Sequence, residues 1–497
     1  MQLMRHLLEK RENRHLTLLE ILYFKDSWMT ISSLANELGC SERILKQDIA
    51  DLKDLFQDEI LFTSNQGIRL VFPSNLNLEV IYQATLKESL AFQLLEFLFF
   101  NEEKTIVELA SELYTSKSTL IRTIQEINST LEPYEFRVST TKNCMIIGNE
   151  QKIRTFFIHY FSERYSFSDW PYKNIDEELF EKVILFLTKF NKVELNFSDF
   201  VRVKNWVAVA IVRTNHHHYL DIQQNKLSKM LPDFSKLHLL FGSLEEKLSI
   251  SLKPEFLEQI FSSFLKEEFI LTFDNLLSET KKNESFHKNM LLIIDVIDFL
   301  SKKLKISVPN REHLILDLFN MSYISAGKKD GVNYISFILF NQKKYFIHSI
   351  KNEYPEFIQL ALKALKVYQK KSDFFFSEFG INELLYTITI HWDSLLIELQ
   401  KKRKKVKLAI VSHYDLEHAK MIEDFLSIHF RDLIESSVYV KPRLTEKNLA
   451  KLNSDLVITT TSLQNMEASS IICIQNVPSK KDIHNIYQAI TACLNAN

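Results

Sequence analysis

The sequence predicts a mainly α multidomain chain with two winged helix-turn-helix domains, two all-helical domains and a small C-terminal α/β domain. Three observations carry that prediction. Residues 30–53 recur without a gap at residues 105–128, the middle of the chain is a run of apolar-periodic segments, and beyond residues 400–407 strands and helices alternate. At 497 residues the chain also exceeds what one hydrophobic core can serve. The expected domains are residues 1–75, 76–165, 166–284, 285–400 and 401–497.

An offset of 75 aligns Thr30 with Thr105, Ile31 with Ile106, Leu34 with Leu109, Ala35 with Ala110, Glu37 with Glu112, Leu38 with Leu113, Ser41 with Ser116, Leu45 with Leu120 and Ile49 with Ile124. The shared apolar positions keep an i, i+3, i+4 rhythm that breaks once, between Leu38 and Ser41. The break predicts two helices joined by a tight turn, with Gly39 in the first turn and Ser41 or Ser116 capping the second helix. Another apolar helix precedes each pair, at residues 15–24 and 89–100, and a strand pair follows each, at residues 59–72 and 134–148. Three helices and a hairpin make the winged form of the motif.

In that form the second helix is free to enter the major groove, about 12 Å wide, while the first braces it across the backbone. In the first copy Ile44, Leu45, Ile49 and Leu52 are expected to point inward, leaving Glu42, Arg43, Lys46, Gln47 and Lys53 outward. Arg43 and Gln47 have the donors to read guanine or adenine edges, whereas Lys46, Lys53 and the wing residue Arg69 suit phosphates. The second copy offers Lys117, Ser118, Thr119 and Arg122, with Lys142 in its wing, and is poorer in bidentate readers. Small three-helix units also serve as protein-interaction modules. Two ungapped copies, each with its own wing, favour double-stranded DNA.

Composition bounds the rest. With 46% hydrophobic and 25% charged residues but 7 glycines, the chain is globular and ill suited to Gly-rich phosphate loops. Cys40, Cys144, Cys473 and Cys493 lack CxxC spacing, which argues against a zinc site or a disulfide framework and for a reducing cytoplasm. No apolar run approaches the ~18 residues of a membrane span, and the N-terminus lacks a signal-peptide core. No cofactor or metal is expected. Net charge is −2, and residues 1–75 hold nine Lys/Arg against eleven Asp/Glu, so DNA contact requires a local basic face.

Residues 168–400 read as helical, with segments at 176–190, 200–214, 289–304 and 311–326 and a break near 281–285. The helix ending in NHHHYL places His216, His217 and His218 together. Consecutive helical residues point in different directions, so three ligands to one metal are disfavoured. Helix-end capping and a phosphorylatable imidazole both remain open. His391 lies in the apolar segment TITIHWDSLL and reads as a core histidine. The basic run at 400–407 reads as a solvated hinge. After it come KLAIVS, an amphipathic helix at 416–430, SSVYVK, a short helical stretch, DLVITTT, SIICIQ and a terminal helix at 480–495, a small parallel α/β domain. Chemistry in such a domain sits in the loop after the first strand, here SHYDLEHAK.

With two helix-turn-helix units, two helical regions and an α/β domain in this order, the whole chain resembles the Mga/AtxA family of global and virulence transcription regulators of Gram-positive bacteria. SDWPY at 168–172 and WVAVAIVRTNHHHYLD at 206–221 support the likeness. The resemblance implies that the helical domains are like the regulation domains of the sugar phosphotransferase system, whose histidines receive phosphate from its phosphocarrier protein. By motif the matching residue is His218, and by placement His391. The C-terminal domain resembles enzyme IIB, implicated in dimerisation. Where a working enzyme IIB has a nucleophilic cysteine, this chain has Ser412 and His413, which favours an interaction role over catalysis. The implied partners are promoter DNA, a second copy of the chain and the phosphocarrier protein, with no membrane. Two alternatives are a sugar-operon activator or antiterminator with the same regulatory domains, and a soluble enzyme IIB component.

Overall fold

The computed structural model describes residues 3–57, 60–190, 196–221, 256, 259–260, 270, 272–326, 335–445, 448, 454–462 and 471–495. The chain divides into two compact units. One comprises Met1–Ile293, Leu316–Asn352 and Leu365–Tyr386, the other Ile294–Ile315, Glu353–Ala364 and Thr387–Asn497.

In the first unit, α1 (Lys10–Lys25) starts at a reciprocal capping box between Glu9 and Glu12 and stops at Asp26, which adopts a left-handed conformation. Helix α2 (Ile31–Leu38) is capped by the Thr30 hydroxyl and closed by Gly39 at φ 63°. Helix α3 (Glu42–Leu55) follows at once, its first turn held by Ser41 Oγ accepting from Ile44 N. The wing is β1 (Leu61–Ser64) antiparallel to β2 (Gly67–Leu70). Ile68 of β2 also pairs with Met29, so the wing is stitched to the chain entering α2. Leu16, Leu19 and Leu22 of α1 close on Leu34 and Ala35 of α2 and Leu45, Ile49 and Leu52 of α3. Each such leucine contributes about 1.5–3 kcal/mol on burial.

The second copy repeats this plan with α5 (Leu90–Phe100), α6 (Ile106–Glu112), α7 (Lys117–Leu131), β3 (Phe136–Ser139) and β4 (Met145–Gly148). The repeat extends to bracing contacts. Cys144 N donates to Lys104 O as Ile68 N does to Met29 O. Asn128 of α7 grips Val138 N and O, and at the equivalent positions Lys53 Nζ donates to Thr63 Oγ1. The turn keeps its left-handed conformation, with Tyr114 at φ 49° standing where the first copy has Gly39 at φ 63°.

Two further helices flank this copy. Helix α4 (Glu79–Glu88) precedes it, and α8 (Glu150–Arg164) follows it, burying Phe156, Phe157, Tyr160 and Phe161. Near its C-terminus the Glu163 carboxylate accepts from the N–H groups of Ile338, Leu339 and Phe340 at 2.6–2.8 Å. The predicted helical middle is present as α9 (Glu177–Phe190), α10 (Phe197–Asn215), α11 (Phe273–Thr280), α12 (Glu284–Leu304), α13 (Arg311–Ser325), α14 (Gln342–Glu353), α15 (Pro355–Lys371), α16 (Glu378–His391) and α17 (Leu395–Lys402). The expected break at 281–285 falls between α11 and α12. Among the described residues no helix is long and apolar enough to cross a membrane.

The second unit contains a four-stranded parallel sheet in the order β6-β5-β7-β8, with β5 Val406–Val411, β6 Ile434–Val438, β7 Leu456–Thr459 and β8 Ile471–Cys473. Ile422, Leu426 and Phe430 of α18 (Leu416–Phe430) and Ile486 and Ile490 of α19 (Lys480–Asn495) bury the sheet residues Leu408, Ile410 and Ile458. The expected short helical stretch between β6 and β7 lies largely outside the described residues.

Two expectations about burial are corrected. Ile44, expected inside, is 44% exposed, because Leu45, Asp48, Ile49 and Leu52 define the inward stripe of α3 and Ile44 lies about 100° away from Leu45. Asp48 takes the inward place instead. His391, expected in the core, is exposed at the last position of α16, and the next residue, Trp392, is buried with its Nε1 donating to Ser307 O at 2.9 Å.

Candidate nucleic-acid interface

Helix α3 is held in place from behind. Asp48 is 2% exposed and accepts from Arg14 Nε at 2.5 Å and Nη2 at 2.9 Å, with His15 Nε2 2.9 Å away. Burial alone would raise the Asp48 carboxyl, but the bonds from Arg14 and His15 outweigh it and hold it below its ordinary value. His15 is shifted down, chiefly by burial. With Asp51 these residues bring three ligand-type atoms within 4.8 Å of one another. Arg14 and Arg11 already neutralise both carboxylates, so the cluster is a brace between α1 and α3 rather than a cation site.

With its buried stripe fixed, α3 presents Arg43, Lys46 and Gln47 to solvent. Gln47 Nε2 rests on Asp51 Oδ1 at 3.0 Å, a contact it must release to reach a base. Lys53 is half-buried and its ammonium bonds the wing hydroxyl of Thr63 at 3.1 Å. Arg69 is half-buried beside Asp26 at 3.2 Å. In the second copy Lys117, Ser118, Thr119 and Arg122 are exposed on α7, and Lys142 is exposed between β3 and β4. Ser118 and Thr119 hydroxyls lie 2.9 and 2.8 Å from Ser116 Oγ, and Arg122 pairs with Glu126 at 3.3 Å. Sequence reasoning missed the exposed apolar groups on these surfaces, among them Ile44 on α3, Phe62 on β1, Ile121 on α7 and the 98% exposed Tyr114.

The three histidines after α10 point three ways. His217 N bonds Thr214 O and His218 N bonds Arg213 O, while His217 stands at φ 64°, which is a Schellman closure of the helix. His216 is shifted down by burial and its Nδ1 has no partner, while His217 is exposed. His218 Nε2 lies 2.7 and 3.0 Å from the two oxygens of Glu102, in the loop between α5 and α6. Glu102 also accepts from Arg213 Nη1 at 2.9 Å, and Arg213, fully buried, reaches Glu150 at 2.7 Å. Burial pushes the Glu150 carboxyl up, but Arg213 and Arg154 more than offset it and hold it low. No local signal in the sequence announces this network, whose members stand up to 116 positions apart.

His391 keeps its backbone carbonyl on Asn310 Nδ2 at 2.8 Å. In the loop after β5, Ser412 Oγ lies 2.9 Å from His418 Nδ1, His418 Nε2 lies 2.8 Å from Asn476 O, and His413 Nδ1 lies 3.0 Å from Thr460 Oγ1. These contacts tie the loop to the ends of β7 and β8.

Comparison with known proteins gives matches along most of the chain. Residues 9–68 match the M protein trans-acting positive regulator (MGA) HTH domain, residues 74–161 the Mga helix-turn-helix domain, and residues 176–395 the M protein trans-acting positive regulator (MGA) PRD domain. A Streptococcus pneumoniae serotype 4 protein named as a trans-acting regulator is 30% identical over 95% of this chain and 96% of its own length. Two Bacillus anthracis proteins, the capsule synthesis positive regulator AcpB and the anthrax toxin expression trans-acting positive regulator, are 22% and 21% identical, each over 96% of this chain and 98% of its own length.

Proposed function

Given that the chain belongs to the Mga family of trans-acting positive regulators, we propose that it is a DNA-binding transcriptional activator whose promoter occupancy is set by histidine phosphorylation and self-association. The observation that carries the reading is the pair of serine-capped helices, α3 and α7, each buried on one face and each presenting basic and amide side chains on the other. Arg43 and Gln47 read base edges, while Lys46, Arg69, Lys117, Arg122 and Lys142 meet phosphates, with Ser118 and Thr119 donating to the DNA backbone. Lys53 acts through the wing it braces.

In this reading residues 1–75 and 76–165 contact promoter DNA, residues 166–284 and 285–400 receive the signal, and residues 401–497 support a homodimer. The phosphocarrier protein of the sugar phosphotransferase system donates phosphate to His218 and His391. Each phosphate adds nearly two negative charges and strong acceptors, enough to rearrange an ion-paired interface. Dimerisation then raises DNA occupancy through effective concentration. The role requires no catalysis and places the protein in the cytoplasm with its promoters. Replacing Arg43 and Gln47 by Ala is expected to weaken binding to the target promoter tenfold or more at fixed salt, each good bidentate contact being worth about 1–3 kcal/mol. Unchanged titration curves would remove α3 from direct readout. Replacing His218 by Ala should alter sugar-dependent transcription, and an identical response would remove that residue from the signal.

A further inference from the structure

We propose that Glu102 is the residue through which the state of His218 reaches the second winged helix, an inference that rests on reading His218 as a phosphate acceptor. Glu102 stands three positions ahead of Thr105, the N-cap of α6, so its placement sets where the helix-turn-helix begins. Its two oxygens face the His218 ring at 2.7 and 3.0 Å. The backbone of His218 is anchored on the same side, because Arg154 Nη2 donates to its carbonyl at 3.1 Å. Arg213 completes the clamp by bonding Glu102, Glu150 and the Ile146 carbonyl of β4. Loop, wing and α8 therefore meet at the end of α10.

The charges at this junction balance only while His218 is unmodified, with Arg154 and Arg213 against Glu102 and Glu150. In the transfer, a ring-nitrogen lone pair of His218 forms the new P–N bond as the carrier's P–N bond breaks. The electron pair stays on the carrier imidazole, which takes up a proton in place of the one the His218 ring sheds. The product sets a phosphoryl group against a carboxylate already 12% exposed and held beside Arg213. Like charge expels Glu102 and draws Arg213 toward the phosphate, releasing the loop that leads into α6.

The test is a double-mutant cycle in the full-length protein with Glu102→Gln, His218→Asp and both, reading hydrogen-exchange protection of α6 and promoter affinity. Glutamine is isosteric and keeps an acceptor for the ring, so the substitution removes the repulsion without removing the contact. His218→Asp is expected to lower α6 protection and shift promoter affinity when Glu102 is in place and to do little in the Glu102→Gln chain, a coupling of about threefold or more. Effects of His218→Asp that are equal in the two backgrounds would overturn the proposal. Mass spectrometry of the chain after incubation with the phosphocarrier protein tests the underlying reading separately. No phosphate at 218 fails that reading, whereas incorporation with an additive cycle overturns only the role of Glu102.

Discussion

Asp48→Ala should loosen the first recognition helix without touching its exposed face. Asp48 is 2% exposed and serves two bonds from Arg14 and one contact with His15, while the Arg14 side chain is 24% exposed. Removing one partner from a buried ion pair costs about 3–5 kcal/mol. Arg14 can recover water on its exposed side, which reduces the expected cost to about 2–3 kcal/mol. At about 1.4 kcal/mol per tenfold, opening of α3 becomes roughly 30–150 times more frequent. Hydrogen exchange on the full-length protein reads this as lost protection in α3, accompanied by weaker DNA binding. Protection unchanged within about threefold would refute the argument that this brace positions the helix. The comparison also has a pH signature. A carboxylate held low in the folded state stabilises above its unfolded value, about 3.9, and loses that stabilisation as pH falls through the folded value. The advantage of the wild type over Asp48→Asn should therefore narrow as pH drops below about 4.

The two glycines of the first copy should respond differently to alanine. A Cβ at Gly67 would lie 2.0 Å from Met29 O at φ 122°, so Gly67→Ala should cost the wing its protection against exchange, whereas Gly39, at φ 63° with nothing within 4 Å, should lose only about 1 kcal/mol. Equal effects would contradict the close approach of β2 to Met29. Arg213→Met leaves Glu102 without its buried cation and Glu150 with Arg154 alone, and at about 3–5 kcal/mol should lower the unfolding midpoint by about 6 °C or more, a shift under about 2 °C counting against the network.

Much of the fold could be read in the chain because its signals are local. The break between Leu38 and Ser41, the serine caps and the alternating hairpins depend on residues within one turn or one strand pair. The same holds for α18 and α19, whose predicted limits match those observed. The repeat carried further information, since the 75-residue offset reproduces even the wing braces at Lys53–Thr63 and Asn128–Val138. Helices α4 and α8 were less legible. Their burial runs around much of the helix rather than along one stripe, with Arg154 as well as Phe156, Phe157 and Tyr160 inside α8, so periodicity gives little contrast.

By itself the sequence determined the order of elements, the repeated DNA-binding architecture and the residue types offered to DNA, because apolar periodicity and capping chemistry act over three or four positions. Only the tertiary structure decided which charges are spoken for. Asp48 is drawn inside in place of Ile44 because Arg14 and His15 wait there to compensate it, and His391 is left at the surface because Trp392 fills the core. His218 meets Glu102 across 116 positions for the same reason. A buried charge must find its partner in space, and the distance along the chain has no bearing on where that partner is found.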